Sequence, residues 1–227
     1  CCFLGLNLVN SWGQTELDRL FAKAEDQRVN ANLTNALDVL QEAKTLAEQN
    51  NRLPEWQINT AKCLSDLDST AAALALLETA KNQLALPDQD LLLAEALNLQ
   101  GSIALQESQW KAAEKHYREA LGISETYLGF YHEKVADSHN NLGAVSYLLQ
   151  DYEQALFHHQ QALTIRLEVL ENPHPDLGSS YNNLAGCYFD LYLLDQAISA
   201  HQKTLSIREA LQLPAAQASS HNNLGNC

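Results

Sequence analysis

The sequence predicts an all-α protein built from antiparallel helix pairs that stack on one another. A segment of about 40 residues recurs along the chain, and within each copy small and apolar residues return every three or four positions. Composition agrees, because nine glycines and five prolines in 227 residues are too few for the many turns of an all-β fold. Since one helix pair cannot bury its apolar face alone, the copies must stack.

The repeat is clearest in three segments that align without a gap at a period of 42 residues, namely 98–121, 140–163 and 182–205. Small residues hold the same positions in successive copies. In the first predicted helix of a pair they are Gly101, Gly143, Ala185 and Gly225, and in the second they are Ala113, Ala155, Ala197, Ala120 and Ala162. Small side chains let two helix axes approach to about 8–10 Å, so we expect these residues at the crossing of each pair.

Two weaker copies precede these three and keep the same spacing of small residues. They contain Ala24, Ala36 and Ala43, and then Ala61, Ala73 and Ala80. Prolines fall between the copies, where helices are expected to stop. We therefore predict about five helix pairs in residues 14–227, followed by the first helix of a sixth. Because that helix, HNNLGNC at 221–227, has no partner, we expect the natural chain to be longer and further domains to be possible after it.

The first 13 residues differ from the rest and are read as the remnant of a secretory signal peptide. They form an apolar stretch that ends in Ser-Trp-Gly, with small residues at the −3 and −1 positions of a cleavage site before Gln14. This reading predicts an exported, periplasmic or extracytoplasmic protein. The alternative is an ordinary apolar first helix or strand of a cytoplasmic protein.

Charge limits the class of partner. Twenty-eight acidic and 14 basic residues give a net charge of −14, which argues against nucleic acid as a ligand. A neutral or basic protein segment is the more natural partner, although an acidic solvated surface without any partner fits equally well. No apolar run reaches the roughly 18 residues that a membrane helix needs, so no stable membrane span is expected.

The pattern of small residues resembles the tetratricopeptide repeat over about residues 17–227, most strongly after residue 96. Gly143, Ala155 and Ala162 stand at the family's eighth, twentieth and twenty-seventh positions. The resemblance implies a right-handed superhelical solenoid. The long period is similar to that of kinesin light chains and of bacterial arrays that precede a CHAT-type protease or a sensor kinase. The sequence departs from the family pattern at His159 and His201, where an aromatic residue is usual, and at Ala185 and Thr204.

In such arrays the first helices line the concave face, and the resemblance therefore implies a peptide-binding groove there. The fifth position is asparagine in four copies, which predicts a column formed by Asn98, Asn140, Asn182 and Asn222. Tyr147 and Phe189, at the twelfth position, are predicted to be apolar anchors beside that column. Asparagine amides suit the backbone of an extended peptide, but they could equally serve only to stack repeats. The Lys or Arg residues of a carboxylate clamp are missing from the corresponding positions.

Histidines and cysteines do not indicate catalysis or metal binding. His116 and His158 share one repeat position and His159 and His201 share another, which places equivalent histidines too far apart to share a Zn²⁺ ion. Cys63, Cys187 and Cys227 fall on the packed side of different units and are predicted to be small core residues. No cofactor is expected.

These observations favour a non-catalytic scaffold that binds a protein or peptide segment in its concave groove. An alternative is the regulatory or sensor region of a larger enzyme, such as a CHAT-type protease or a histidine kinase, with its catalytic domain beyond residue 227. A third possibility is a structural spacer that binds nothing.

Overall fold

A computed structural model describes residues 4–84 and 89–226, with side chains from residue 16 onward except those of residues 215 and 226. All regular structure in these residues is helical, as predicted. The chain divides into two compact units, Cys1–Ile103 and Ala104–Cys227. The helices of the described residues are α1 (Leu4–Val29), α2 (Leu33–Gln49), α3 (Leu53–Asp66), α4 (Thr70–Gln83), α5 (Asp90–Gln106), α6 (Trp110–Leu128), α7 (Glu133–Leu148), α8 (Tyr152–Val169), α9 (Pro175–Asp190), α10 (Leu194–Ala210) and α11 (Pro214–Asn226).

The first unit contains the pairs α1–α2 and α3–α4, with α2 also packed against α3. Leu17, Leu40 and Trp56 belong to the core that joins these helices. The Trp56 indole N–H donates to the Leu40 carbonyl oxygen at 2.6 Å, so this large side chain is buried with its polar atom satisfied. A second cluster, which includes Leu77 and Ile103, continues the core toward the end of the unit.

The second unit contains the pairs α7–α8 and α9–α10; its further contacts join neighbours in chain order and also join α7 to α9. Ala155 and Ala197 are fully buried, as expected of residues at a helix crossing. A methyl group on Gly143 would come within 2.6–2.8 Å of the His159 ring, so the glycine permits the close approach of α7 and α8. Gly225 differs, because a methyl group there would meet nothing within 4 Å. Helix α11 packs on α10 and has no second helix of its own among the described residues.

Local sequence explains where the helices of the second unit begin. His132 precedes α7 and accepts a hydrogen bond at Nδ1 from the Lys134 backbone N–H, while His174 does the same for Asp176 before α9. Asp151 caps α8 by accepting from the Gln154 backbone N–H. These caps satisfy N–H groups that the first turn of a helix leaves unpaired. Pro175 and Pro214 open α9 and α11, where a missing N–H costs nothing.

Two arginines, the buried Arg166 and the half-buried Arg208, fasten the long second helices to the repeats around them. Arg166 on α8 donates to Ser180 Oγ on α9 and to Asp137 Oδ1 on α7, at 2.8 Å in each case. One repeat later, Arg208 donates to Ser220 Oγ at 2.7 Å. Charge-assisted hydrogen bonds of this kind are stronger than neutral ones, so the extra length of these helices contributes to stacking.

The N-terminal prediction is not tested by the fold. Residues 1–3 lie outside the described residues, and residues 4–13 form the beginning of α1. No helix within the described residues is long and apolar enough to span a membrane. Cys63 and Cys187 are buried free thiols, and Cys227 lies outside the described residues.

Candidate peptide-binding groove

Paired asparagines join the first helices of successive repeats in the second unit. Asn183 on α9 donates its Nδ2 to Asn140 Oδ1 on α7 at 3.0 Å. Asn223 on α11 donates in the same way to Asn182 Oδ1 on α9, at 3.2 Å. In both bonds the second asparagine of one repeat donates to the first asparagine of the preceding repeat. We call these two bonds the asparagine ladder.

The ladder gives the predicted asparagine column a structural role and leaves its proposed binding role open. It occupies the side-chain oxygens of Asn140 and Asn182, whereas their Nδ2 donors have no hydrogen-bond partner among the described residues. Both side chains are half-buried, and Asn222 is exposed. Asn98, in the first unit, differs because its Oδ1 is buried without a hydrogen-bond partner.

Two adjoining pockets open between these first helices. The larger, of about 390 Å³, is lined by Tyr147 and Leu148 of α7 and by residues of α9. The smaller, of about 280 Å³, is lined by Phe189, Asp190 and Asn223. Three residues line both pockets, namely Tyr147, Asn182 and Gly186. The structure thus brings together three of the predicted groove residues, Tyr147, Asn182 and Phe189. We call the two pockets the groove.

Tyr147 and Phe189 present apolar surface in the groove. Their side chains are 37% and 41% exposed, and the Tyr147 ring packs edge-on against Tyr152 at a centroid distance of 5.3 Å. Gly186 lies beside Tyr147, and a methyl group there would meet the tyrosine ring at 3.9 Å, an ordinary van der Waals distance. Half-exposed aromatic rings held in fixed positions are suitable anchors for a partner's side chain.

Asp190 is the groove residue that sequence reasoning missed. The Tyr147 hydroxyl donates a hydrogen bond to its Oδ2, and this bond, together with burial, raises the pKa of Tyr147. The aspartate therefore fixes the ring and places one carboxylate at the pocket wall. One signal was available in the sequence. Asp190 follows Phe189 directly and holds the repeat position that is the apolar Leu148 in the preceding repeat.

Two buried histidines lie beneath the pockets. His159 lines the larger pocket and His201 the smaller, and the Nδ1 atom of each is buried without a hydrogen-bond partner. Burial is the main cause that lowers the pKa of His159 to about 4, with a smaller contribution from neighbouring His158. The pKa of His201 is lowered chiefly by burial as well. Both side chains are therefore neutral at physiological pH.

Sequence reasoning also missed a contact between two buried histidines. His139 Nδ1 on α7 and His158 Nδ1 on α8 lie 3.0 Å apart within one repeat, and both rings are buried. Burial, with a smaller contribution from nearby His139, lowers the pKa of His158 to about 4. Comparison of equivalent positions between repeats could not find this pair, because its members occupy different helices of one repeat. Among the described residues, no group of three or more potential ligands could hold a metal ion.

A larger pocket, of about 620 Å³, lies on the other side of α9, between α8 and α10. Its walls are polar and apolar in about equal measure, and the polar residues include Gln160, Gln196 and Lys203. The Lys203 ammonium group lies 5.0 Å from the centre of the Tyr181 ring. Sequence reasoning did not predict this pocket.

The helix pairs and the stacking contacts define a helical-repeat protein, and comparison with known proteins names the class. A family profile for the tetratricopeptide repeat matches residues 92–168 and 136–210, and the chain belongs to this family. The family resemblance is thereby confirmed. Among curated proteins, none matches the chain significantly in sequence.

Solved structures of other tetratricopeptide-like proteins share the fold. BtubC (BKLC) from P. vanneervenii is 22% identical, with 91% of each chain covered and a TM-score of 0.74. A putative kinesin light chain from Podosopora anserina is 16% identical, with 87% of this chain and 97% of that chain covered and a TM-score of 0.66. A signal transduction ATPase with a tetratricopeptide repeat sensor, from Pyrococcus horikoshii, is 16% identical with a TM-score of 0.79. There, 90% of this chain corresponds to 31% of the ATPase. At these identities the likeness concerns the fold alone.

Proposed function

We propose that this protein is a non-catalytic scaffold that binds a segment of another protein along α7, α9 and α11. The observation that carries the proposal is the groove, where Tyr147, Asn182 and Phe189 line two adjoining pockets. Proteins of this family are generally non-catalytic scaffolds for protein–protein interaction. The groove is the location that we propose for this role in the present chain.

The groove offers the two kinds of contact that an extended segment needs. The Nδ2 donors of the asparagine column can bind backbone carbonyl oxygens, which every peptide presents whatever its sequence. Tyr147 and Phe189 can receive apolar side chains and so supply most of the affinity and selectivity. Because the asparagine ladder already fixes the column, its donors need little ordering when a partner binds.

Selection from a random peptide library displayed on phage tests this proposal without knowledge of the natural partner. We expect synthetic copies of the selected peptides to bind the full chain in fluorescence anisotropy. The substitutions Tyr147→Ala and Phe189→Ala should each weaken binding at least tenfold, as is usual for aromatic anchors. Gln160→Ala, in the pocket between α8 and α10, is the matched control and should leave affinity unchanged. Affinity that is lost in the control and kept in both groove variants would refute the groove.

A second candidate function is that of a sensor region within a larger enzyme. The likeness to a signal transduction ATPase with a tetratricopeptide repeat sensor favours it, because this chain corresponds to about a third of that protein. Sequencing the gene beyond the codon for Cys227 tests the idea. A catalytic domain of the CHAT-protease or histidine-kinase type would support it, and an immediate stop codon would exclude it.

Export is proposed as well, on the basis of the apolar residues 1–13 and the small residues before Gln14. N-terminal sequencing of the protein purified from its natural source is the direct test. A mature chain that begins at Gln14 would support export, whereas a chain that retains residues 1–13 in the cytoplasm would overturn it.

A further inference from the structure

Among the described residues, the short turns that follow α1, α3, α5, α7 and α9 share one backbone conformation. The central residue of each lies in the left-handed region, with φ between 57° and 62°, although none of these residues is glycine. The five residues are Ala31, Asp68, Ser108, Gln150 and Tyr192. Small or polar residues occupy the first four turns, and an aromatic residue occupies the turn between α9 and α10.

Tyr192 is poorly suited to this conformation. A left-handed backbone is unfavourable for residues other than glycine and most unusual for bulky ones. Burial does not offset the conformational cost, because the Tyr192 side chain is 88% exposed, more than any other large apolar side chain among the described residues. The backbone conformation itself serves the turn, in which the Leu193 N–H donates to the Tyr188 carbonyl oxygen at 2.8 Å. What the turn does not explain is the exposed tyrosine side chain, and an unfavourable residue at such a position is a sign of function.

Leu193 breaks a second local rule in the same turn. The residue before the second helix of a pair is polar in the other four turns, namely Asn32, Ser69, Gln109 and Asp151. Asp151 caps α8 through its side chain, whereas the residues before the other second helices, Leu193 included, make no capping hydrogen bond. Leu193 differs from them in being apolar and therefore unable to cap. Two adjacent positions thus carry apolar side chains where the other turns carry small or polar ones.

Neighbouring residues in the sequence also expose apolar side chains. Leu193, Leu194 and Phe189 are 38%, 42% and 41% exposed. Asp190 and Asp195 stand on either side of the turn, and neither forms an ion pair with a described residue. We call residues 189–195 the turn patch. It continues the groove, because Phe189 and Asp190 also line the smaller pocket.

We propose that the turn patch docks a partner segment whose apolar side chains are flanked by lysine or arginine. The apolar side chains would cover Tyr192 and Leu193, and the basic groups would meet the carboxylates of Asp190 and Asp195. A second copy of this chain fits less well, since it would bring the same carboxylates toward each other. The inference rests on the proposed scaffold function and specifies the chemistry of its partner.

Three synthetic peptides labelled with a fluorophore provide the test with the full chain. The first is an amphipathic helix with a leucine face and a lysine rim, and the second replaces the lysines by glutamates. The third is a scramble of the first, with equal charge but no apolar face, and controls for general attraction to an acidic protein. In anisotropy titrations at physiological salt, we expect the first peptide to bind at least tenfold more tightly than either of the others.

The double substitution Tyr192→Asn with Leu193→Asp is the decisive variant. It introduces residues suited to a left-handed turn and to a helix cap, so its melting temperature should equal or exceed that of the wild type. Its affinity for the lysine-rimmed peptide should nevertheless fall at least tenfold. Gln150→Asn, at the same position one repeat earlier, should leave the affinity unchanged.

Other results would overturn the inference. Unchanged affinity in the double variant would exclude docking at the turn patch, and a lower melting temperature would show that the two residues serve the fold. Self-association that the double variant abolishes in sedimentation velocity would replace the peptide partner by a second copy. If the library-selected peptides still depend on Tyr147 and Phe189 while the double variant binds normally, the scaffold proposal stands and only this inference fails.

Discussion

Acidification should destabilise this protein well before its carboxylates are protonated. Burial lowers the pKa of both His158 and His159 to about 4, whereas the value for an accessible histidine is 6.5. Below pH 6.5 the unfolded chain therefore binds protons that the folded chain excludes. Stability is complete above pH 6.5 and is lost as the pH falls toward 4.

The size of the effect follows from the two pKa values. A histidine with a pKa of about 4 when folded and 6.5 when unfolded loses about 2 kcal/mol of stabilisation between pH 7.5 and pH 5. His158 and His159 are adjacent and influence each other, so their combined effect should lie between about 2 and 4 kcal/mol. This is a large share of the roughly 5–15 kcal/mol that stabilises a typical domain.

Urea unfolding followed by far-UV circular dichroism, at constant ionic strength across this pH range, measures the free energy directly. His159→Phe installs the aromatic residue usual at this family position and should remove about half of the pH dependence. His221→Gln, a change at an exposed histidine, controls for the loss of a histidine as such. A wild-type stability that stays constant or rises between pH 7.5 and pH 5 would refute the reasoning, as would an unchanged pH dependence in His159→Phe.

Three further predictions concern packing, and urea unfolding measures each of them. Ala155→Leu should overpack the crossing of α7 and α8 and cost about 1–3 kcal/mol, whereas Gln154→Leu on the exposed side of α8 should change little; equal effects would mean that the repeat register is wrong. Asn183→Ala should cost about 1 kcal/mol by removing one bond of the asparagine ladder, and no loss would show that the ladder does not stabilise stacking. Gly122→Ala should stabilise the protein by about 0.5–1 kcal/mol because the new methyl group meets nothing within 4 Å, whereas Gly143→Ala should lose that gain against the His159 ring.

Most of the fold could be predicted from the sequence because each copy of the repeat shows the same weak pattern of small residues, and the copies together make it clear. A single alanine such as Ala155 says little, but small residues at one spacing in five copies identify a helix crossing. The family assignment followed from the same spacing. Boundaries near prolines were predictable too, since the missing N–H of Pro175 restricts it to the first turn of α9.

The site was predictable only in part, because the repeat reports what the copies share. Tyr147, Asn182 and Phe189 occupy repeated positions, and the structure places them together in the groove. Asp190 and the turn patch are peculiar to one repeat, so alignment of the copies gives no reason to single them out. Periodicity also could not decide what an asparagine side chain contacts.

The sequence by itself determined the class of fold. Small residues at a regular spacing mark the positions where the two helices of a pair can approach most closely, so the helices pack there. Only the tertiary structure decided which polar atoms are used and which remain free. Asn183 reaches Asn140 across a repeat boundary, and His139 meets His158 across a helix pair. Such contacts depend on the rotation and separation of whole helices, which the spacing of residues along one helix does not specify.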